Sequence, residues 1–318
     1  MDIFLVEDPE LNFFPQLGIP IHGIIGKDFF EDFVVEVNYF KRFIRFYEHD
    51  EYPNKRRKRY NISELRILSD KPYFGVSIKN QDKVLNLNLL LDTGMSDALW
   101  LVQDDKLQKP SKKFYDYLGR SITGNVFGDR AKVNELDINS FKFSNIITAF
   151  PDSTSTRIPN VKNKFRNGVI GGEILKRFNC LIDYKNKEFG LKKNSNFSTK
   201  FSYNVSGLEL YYDGYSIFKD YKEAKAASPE KVIFVSRIGV IYKPTVKILN
   251  VRKDSPAYRV GLQKDDIIVS INKNSSHNYD LAELNYIIND FEKGKTIRLK
   301  VERQGKEIVY EFAPKDIL

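Results

Sequence analysis

The sequence predicts a mainly β protein in which one supersecondary unit occurs twice, followed by a smaller α+β module. Three observations carry that prediction. Gly23-Ile24-Ile25-Gly26-Lys27-Asp28-Phe29-Phe30 aligns without gaps on Gly168-Val169-Ile170-Gly171-Gly172-Glu173-Ile174-Leu175, at an offset of 168 − 23 = 145. Leu85, Leu87, Leu89 and Leu91 alternate along a strand that runs directly into Asp92-Thr93-Gly94. Beyond residue 200 the grammar changes to capped helices and a terminal hairpin.

The repeat extends past its glycines. At the same offset Phe33 falls on Phe178, Val37 on Ile182, Asn38-Tyr39 on Asp183-Tyr184 and Phe46 on Leu191. Each copy reads as an apolar Gly-bounded strand, a short helix and two further strands, joined in the second copy by the polar turn Lys185-Asn186-Lys187. Glu48 to Arg59, with Pro53, Asn54 and the run Lys55 to Arg59, marks the boundary between copies. The polar stretch Lys193 to Thr199 marks the next one. The expected domains are residues 1–62, 63–200 and 201–318.

In the last of these, Ser255 is placed at an N-cap, Pro256 at the first helical position and Gly261 at the helix end. A strand Ile267 to Ile271 follows. Asp280-Leu281-Ala282-Glu283 has capping-box spacing, with Leu281, Leu284, Ile288 and Phe291 on one helical face and Gly294 beyond it. Leu299 and Val301, the turn Gln304-Gly305, and Ile308, Tyr310 and Phe312 form a hairpin.

Composition limits the function classes. The chain has 318 residues, about two domains at ~150 residues each, and its 42% apolar and 29% charged residues place it among folded proteins. Lys and Arg exceed Asp and Glu by 51 − 42 = 9. The only dense basic run, Lys55 to Arg59, has no interleaved aromatics, so it reads as a solvated linker and no nucleic-acid partner is expected. Cys180 alone excludes an internal disulfide framework and a Cys-based metal site, and His22, His49 and His277 lack ligand spacing, so no metal is expected. No stretch approaches 18 apolar residues, and Met1-Asp2-Ile3 opens with an acid, so neither a transmembrane segment nor an export signal is expected.

The residues most able to do chemistry lie at Asp92. Gly94 allows a tight turn, Thr93 is expected to offer a buried hydroxyl, and Ser96 is expected to hydrogen-bond the carboxylate. Taken alone, Asp-Thr-Gly after a strand is usually only a turn. Followed 169 − 94 = 75 residues later by Val169-Ile170-Gly171 and a short helix, it resembles the retropepsin-like lobe of the aspartic proteases, over about residues 65–193.

The resemblance implies an acid-protease β-barrel lobe in which Asp92 is catalytic, Thr93 braces the loop and Gly94 holds the turn, supported by Ser96, Val169, Ile170 and Gly171. It implies a second such lobe, so that two carboxylates share one proton and activate water with no cofactor. Gly119 to Gly128, with Ser121, Ile122, Thr123 and Gly124 at its tip, reads from its residues as a surface hairpin and by resemblance as a flap over a bound peptide. The sequence holds one Asp-Thr-Gly. The repeat offset puts the counterpart of Asp92 at 92 − 145 = −53, upstream of Met1, so the first lobe is expected to be incomplete through truncation, leaving Phe33 to Val37 without strand neighbours. A homodimer pairing Asp92 with Asp92 and a lobe without catalysis are the alternatives.

The C-terminal module resembles a PDZ domain of the kind attached to bacterial proteases. The resemblance rests on Val246 to Val251, Asp254-Ser255-Pro256-Ala257, Gly261-Leu262, Asp266-Ile267-Ile268, Ile271-Asn272 and the helix from Leu281, with Asp265 standing where Gly is common. It implies a peptide C-terminus received between a strand and the second helix, its carboxylate held by a Gly-containing loop. Ser206-Gly207-Leu208-Glu209-Leu210 is the candidate loop and strand, although Gly207 alone also reads as a strand opening; Tyr211 to Tyr242 reads as an insertion covering or reshaping the groove. Together the resemblances imply an aspartic endopeptidase of the bacterial periplasm or envelope, acting on peptide or protein substrates, with the PDZ domain binding peptide or regulating access. The alternative is a catalytically inactive peptide-binding scaffold.

Overall fold

A computed structural model of the chain describes residues 12–81, 83–121, 124–152, 165–225, 234–289 and 295–318. The described residues divide into two compact units, one spanning 23–203 and the other 12–22 together with 204–317. The stretch 12–22, expected to belong to a first lobe, therefore folds with the second unit.

The first unit is built on a five-stranded antiparallel sheet in which the two copies of the repeat meet. Its order is β2 (Phe43–Tyr47), β1 (Val34–Asn38), β12 (Phe178–Asp183), β13 (Glu188–Lys193) and β3 (Asn61–Glu64). Adding 145 to the bounds of β1 gives 179–183 and to those of β2 gives 188–192, which fall on β12 and β13. Helix α2 (Lys27–Asp32) precedes β1 as α4 (Gly172–Leu175) precedes β12, each with an extended glycine, Gly26 or Gly171, at its N-cap. The β1–β12 register pairs Val35 with Ile182, Glu36 with Leu181 and Val37 with Cys180. Because 181 − 36 = 145, the central pair joins equivalent residues of the two copies and the flanking pairs exchange with one another, so the ladder carries a local two-fold axis.

Three expectations are corrected here. Ile24 and Ile25 form no strand and are 71% and 59% exposed, whereas their counterparts Val169 and Ile170 are 5% and 0% exposed in β11 (Gly168–Ile170). The difference is one of partners: β11 lies between β6 (Lys83–Leu91) and β7 (Leu99–Leu101), and among the described residues the first copy has no equivalents. Phe33 to Val37 is not orphaned, because β1 pairs on both sides and Val34 and Val35 are buried.

The basic run is a solvated linker only in part: Lys55, Lys58 and Arg59 are exposed, but Arg56 and Arg57 are not. It forms the short helix α3 (Asn54–Arg57), from which Arg56 grips the buried Glu36 carboxylate through Nε at 3.2 Å and Nη2 at 2.6 Å. The Tyr52 and Tyr60 hydroxyls donate to the same carboxylate at 2.8 and 3.2 Å, and Arg57 pairs with Glu188. Beside them Lys41, Arg45, Arg59 and Lys192 help line a cavity of about 290 Å³.

A second sheet closes on itself. β4 (Arg66–Leu68) leads β5 (Lys71–Asn80), β6, β11, β7, β10 (Phe141–Pro151), β9 (Gly124–Ile138) and β8 (Lys113–Ser121), and β9 also pairs with β5. The alternation along β6 directs Leu87, Leu89 and Leu91 into a barrel core with Phe74, Ile78, Leu136 and Phe150.

The second unit has the strand order β14 (Leu208–Lys225), β15 (Phe234–Val251), β16 (Ile267–Ile271), β18 (Ile297–Arg303), β19 (Lys306–Phe312), with β17 (Asn274–Ser275) on β16. The described residues of Tyr211 to Tyr242, expected as an insertion, continue one β14–β15 ladder that runs from Leu208↔Val251 to Lys225↔Phe234. Ser255 caps α5 (Pro256–Arg259), its Oγ accepting the Tyr258 N–H at 3.1 Å. Helix α6 (Leu281–Asn289) has the expected reciprocal cap, Asp280 N–H to Glu283 at 2.9 Å and Glu283 N–H to Asp280 at 2.8 Å. Phe291 and Gly294 lie outside the described residues. Leu284 and Ile288 pack with Leu208, Leu210, Ile248, Ile268 and Val301 in this unit's core.

Two predictions follow from this packing. Burial raises the Glu36 carboxyl, but the Arg56, Tyr52 and Tyr60 hydrogen bonds outweigh it and hold the group below its ordinary value. The stabilisation is thus present above the unfolded pKa and lost as pH falls through the lower folded one. Glu36→Gln is expected to cost about 2 kcal/mol at neutral pH, a modest value because Arg56 is partly solvated, and less in acid, flattening the acid limb of stability followed by Trp100 fluorescence. Asp265 occupies φ 69°, where a Cβ is strained. Asp265→Gly is expected to raise the unfolding free energy, measured by denaturant titration, by about 0.5 kcal/mol, and Asp265→Ala to lower it by about 1 kcal/mol.

Candidate functional site

Asp92 stands where β6 leaves the barrel. Parallel pairing aligns Leu91 with Ile170, and the Asp92 N–H continues the ladder to the Ile170 carbonyl at 3.0 Å. The loop then crosses to β7, which flanks β11 on its other side with Leu99 opposite Ile170. The start of α4 clasps this loop from beneath: Gly171 N–H donates to Ala98 O at 3.1 Å, Gly172 N–H to Met95 O at 2.6 Å and Glu173 N–H to Ser96 O at 3.1 Å. These are donors that a helix start leaves unsatisfied, and the loop's carbonyls accept them. The close approach requires Gly171, since a Cβ there would lie 2.6 Å from the Asp97 carbonyl oxygen and 2.7 Å from that of Met95.

The expected surroundings of the carboxylate are partly corrected. Asp92 is half-buried and its Oδ1 accepts the Gly94 N–H at 2.8 Å, a local Asx arrangement. Thr93 is exposed, so its hydroxyl is not buried. Ser96 is also exposed; α4 holds its backbone, and the Gly94 amide rather than its hydroxyl serves Asp92. Tyr39, from the first copy, has the pKa of its hydroxyl pushed upward by burial, with the nearby Asp92 carboxylate adding to the shift.

Sequence reasoning missed a charged strap at the far end of the loop. Arg130 on β9 donates through Nε to Asp116 on β8 at 2.9 Å and through Nη1 to Asp97 at 3.1 Å, while Trp100 Nε1 donates to the other Asp97 oxygen at 2.7 Å. Burial opposes the guanidinium charge, but Asp97 and Asp116 together raise Arg130 above its ordinary value. The strap ties the β8–β9 hairpin to the Asp92 loop. At the hairpin tip Ser121 pairs with Gly124 and its Oγ donates to the Gly124 carbonyl at 3.2 Å, while Ile122 and Thr123 lie outside the described residues. Among the described residues no three of His, Cys, Asp and Glu form a metal-binding group, and no helix is long and apolar enough to cross a membrane.

In the second unit the candidate peptide groove lies between β14, an edge strand, and α6. Gly207 adopts φ 81°, and a Cβ there would collide with the Ser255 side chain. Ser206, Leu208 and Leu210 are buried, and Glu209 is half-buried. The loop was expected to present backbone N–H groups to a carboxylate, but three are already engaged. Ser206 N–H donates to Asn289 Oδ1 at 3.2 Å, Gly207 N–H to Asn204 Oδ1 at 2.8 Å and Leu208 N–H to Ser206 Oγ at 3.1 Å.

Residues 223–311 match the family model of the PDZ domain. The match takes in part of the β14–β15 hairpin, α5, α6 and most of β19, and begins after the loop at Ser206. Among solved structures, the chain is similar to the HtrA3 PDZ domain bound to a phage-derived ligand (FGRWV), at 20% identity over 32% of this chain and 89% of that one, with a TM-score of 0.20. It is also similar to basic 7S globulin from soybean, at 9% identity over 61% of this chain and 79% of that one, with a TM-score of 0.23. No curated protein matches. By its family match and its capped-helix architecture, the second unit contains a PDZ domain, a peptide-binding module.

Proposed function

We propose that the first unit is a retropepsin-like lobe of an aspartic endopeptidase, with Asp92 as one of two carboxylates that activate water, and that the PDZ domain binds substrate peptide or regulates access. The observation that supports this most is the local two-fold relating the repeat's first copy to its second, centred on Glu36 and Leu181. In the second copy, Val169-Ile170 is sandwiched by the strand that ends in Asp92 and by the strand that follows it. By the same symmetry, Ile24-Ile25 calls for a lobe carrying its own strand and carboxylate. The second carboxylate comes from another lobe or from Asp92 of a second copy of this chain.

The chemistry then follows from electrostatics. Two carboxylates about 3 Å apart cannot both ionise, so they share a proton. The charged one takes a proton from water as it attacks the peptide carbonyl while the neutral one donates to the carbonyl oxygen; as the C–N bond breaks, the first gives its proton to the leaving amine and the second takes one back from the hydroxyl of the collapsing intermediate, which restores the shared proton. The Gly94 amide on Asp92 and the α4 clasp keep the carboxylate in place. The single Asp-Thr-Gly favours a second reading, a non-catalytic protein acting through its PDZ groove.

Peptide-library cleavage from acid to neutral pH, by the intact chain and by Asp92→Asn, separates the two. The proposal expects cleavage that rises more steeply than linearly with chain concentration if a second copy completes the site, and a loss of about a thousandfold in the variant at an unchanged unfolding midpoint. Equal cleavage by both chains would remove Asp92 from the mechanism. No cleavage by either, even after addition of a lobe carrying a second Asp-Thr-Gly, would leave the binding reading.

A further inference from the structure

The residues ahead of the first repeat contact the PDZ groove itself. Helix α1 (Phe14–Leu17) carries Pro15 in its first turn and ends at Gly18, whose φ of 73° lets its N–H reach the Phe14 carbonyl. The Phe14 ring packs on Tyr212 with centroids 5.6 Å apart. Gly18 approaches so closely that a Cβ there would lie 2.8 Å from Leu281 Cβ and 3.3 Å from Tyr212 Cε2. Tyr212 belongs to β14 and Leu281 is the first residue of α6, so the segment touches both walls of the groove. It does so at the end opposite Asn289, whose side chain reaches the Ser206 loop.

We propose that Phe13-Phe14-Pro15-Gln16-Leu17-Gly18 is a built-in occupant of the PDZ groove, which an incoming peptide must displace. The proposal rests on the reading of the second unit as a peptide-binding module and names what regulates it. Two features favour displacement over permanent packing. The docked turn is shallow: Phe14 is half-buried, Leu17, Ile19 and Ile21 remain exposed, and the Gln16 side-chain oxygen is buried without a hydrogen-bond partner. At the far end the loop amides are already satisfied by Asn204, Asn289 and Ser206, so the groove offers apolar and aromatic recognition near Tyr212 and Leu281 in preference to capture of a terminal carboxylate. A tethered segment acts at an effective concentration of order mM, which suffices to exclude weak ligands. Apparent affinity then falls by the fraction of chains whose groove is free.

The test uses the full chain beside Phe14→Ala and Gly18→Val. The probe is a fluorescein-labelled synthetic peptide with the sequence of residues 12–22, followed by anisotropy, with amide exchange of residues 208–212 and 281–285 measured in parallel. Both variants are expected to exchange faster there and to bind the probe about tenfold more tightly than the unaltered chain. Unchanged exchange in both variants overturns the contact. Faster exchange with equal probe affinity overturns the competition and leaves peptide binding standing. Faster exchange with no probe bound by any of the three chains overturns the peptide-binding reading, and the proposal with it.

Discussion

The β1–β12 ladder is the interaction on which the first unit depends. It joins the two copies of the repeat into one sheet, and its register sets Val35 beside Ile182 and Glu36 beside Leu181, so that a slip of one residue would exchange the two faces of β1. Glu36, at the centre of the ladder and opposite Leu181, is buried, so the fold must supply it with a partner; Arg56, Tyr52 and Tyr60 do so from the segment that links the first copy to the barrel. The ion pair therefore fixes the path of the linker as well as the charge. From the same sheet Phe189 packs on Phe74 with centroids 4.9 Å apart, which fastens the sheet to the barrel.

The barrel in turn sets the Asp92 loop between three constraints. β6 and β7 hold its two ends on either side of β11, the first turn of α4 fills its carbonyls, and Arg130 pins Asp97. A reactive carboxylate needs this kind of support, since positioning contributes only when the group does not have to be ordered during reaction. The PDZ domain shows the opposite economy. Its groove is formed, but its loop amides and its open end are already engaged by the chain's own groups.

Much of this was legible in the sequence where the signal is local or exactly periodic. The offset of 145 that aligned Gly23 with Gly168 maps α2, β1 and β2 onto α4, β12 and β13, because a duplicated unit keeps its spacing when it keeps its packing. The capping box at Asp280 and Glu283 forms as its spacing requires. Other features depend on partners distant in the chain and leave no local mark. Ile24-Ile25 has the composition of a strand yet forms none without flanking strands, and Arg56 and Arg57 look like a solvated run until Glu36 and Glu188 are placed beside them. The Arg130 strap joins residues 33 and 14 positions away, and no spacing rule connects them. The Ser206 amide was expected to be open because nothing local shows that Asn289 lies against it, whereas the Gly207 and Leu208 amides are taken by the neighbouring Asn204 and Ser206 side chains, a turn pattern the sequence does carry.

The account's central claim, that the two copies share one sheet about a local two-fold, can be tested with a single substitution. Val37 lies directly opposite Cys180, the chain's one cysteine, and paired strand positions fall within disulfide reach. Val37→Cys, oxidised and analysed by mass spectrometry of non-reduced peptides, should give an intrachain link between residues 37 and 180 in nearly every molecule. Free thiols, or links only between chains, would contradict the ladder and the symmetry drawn from it.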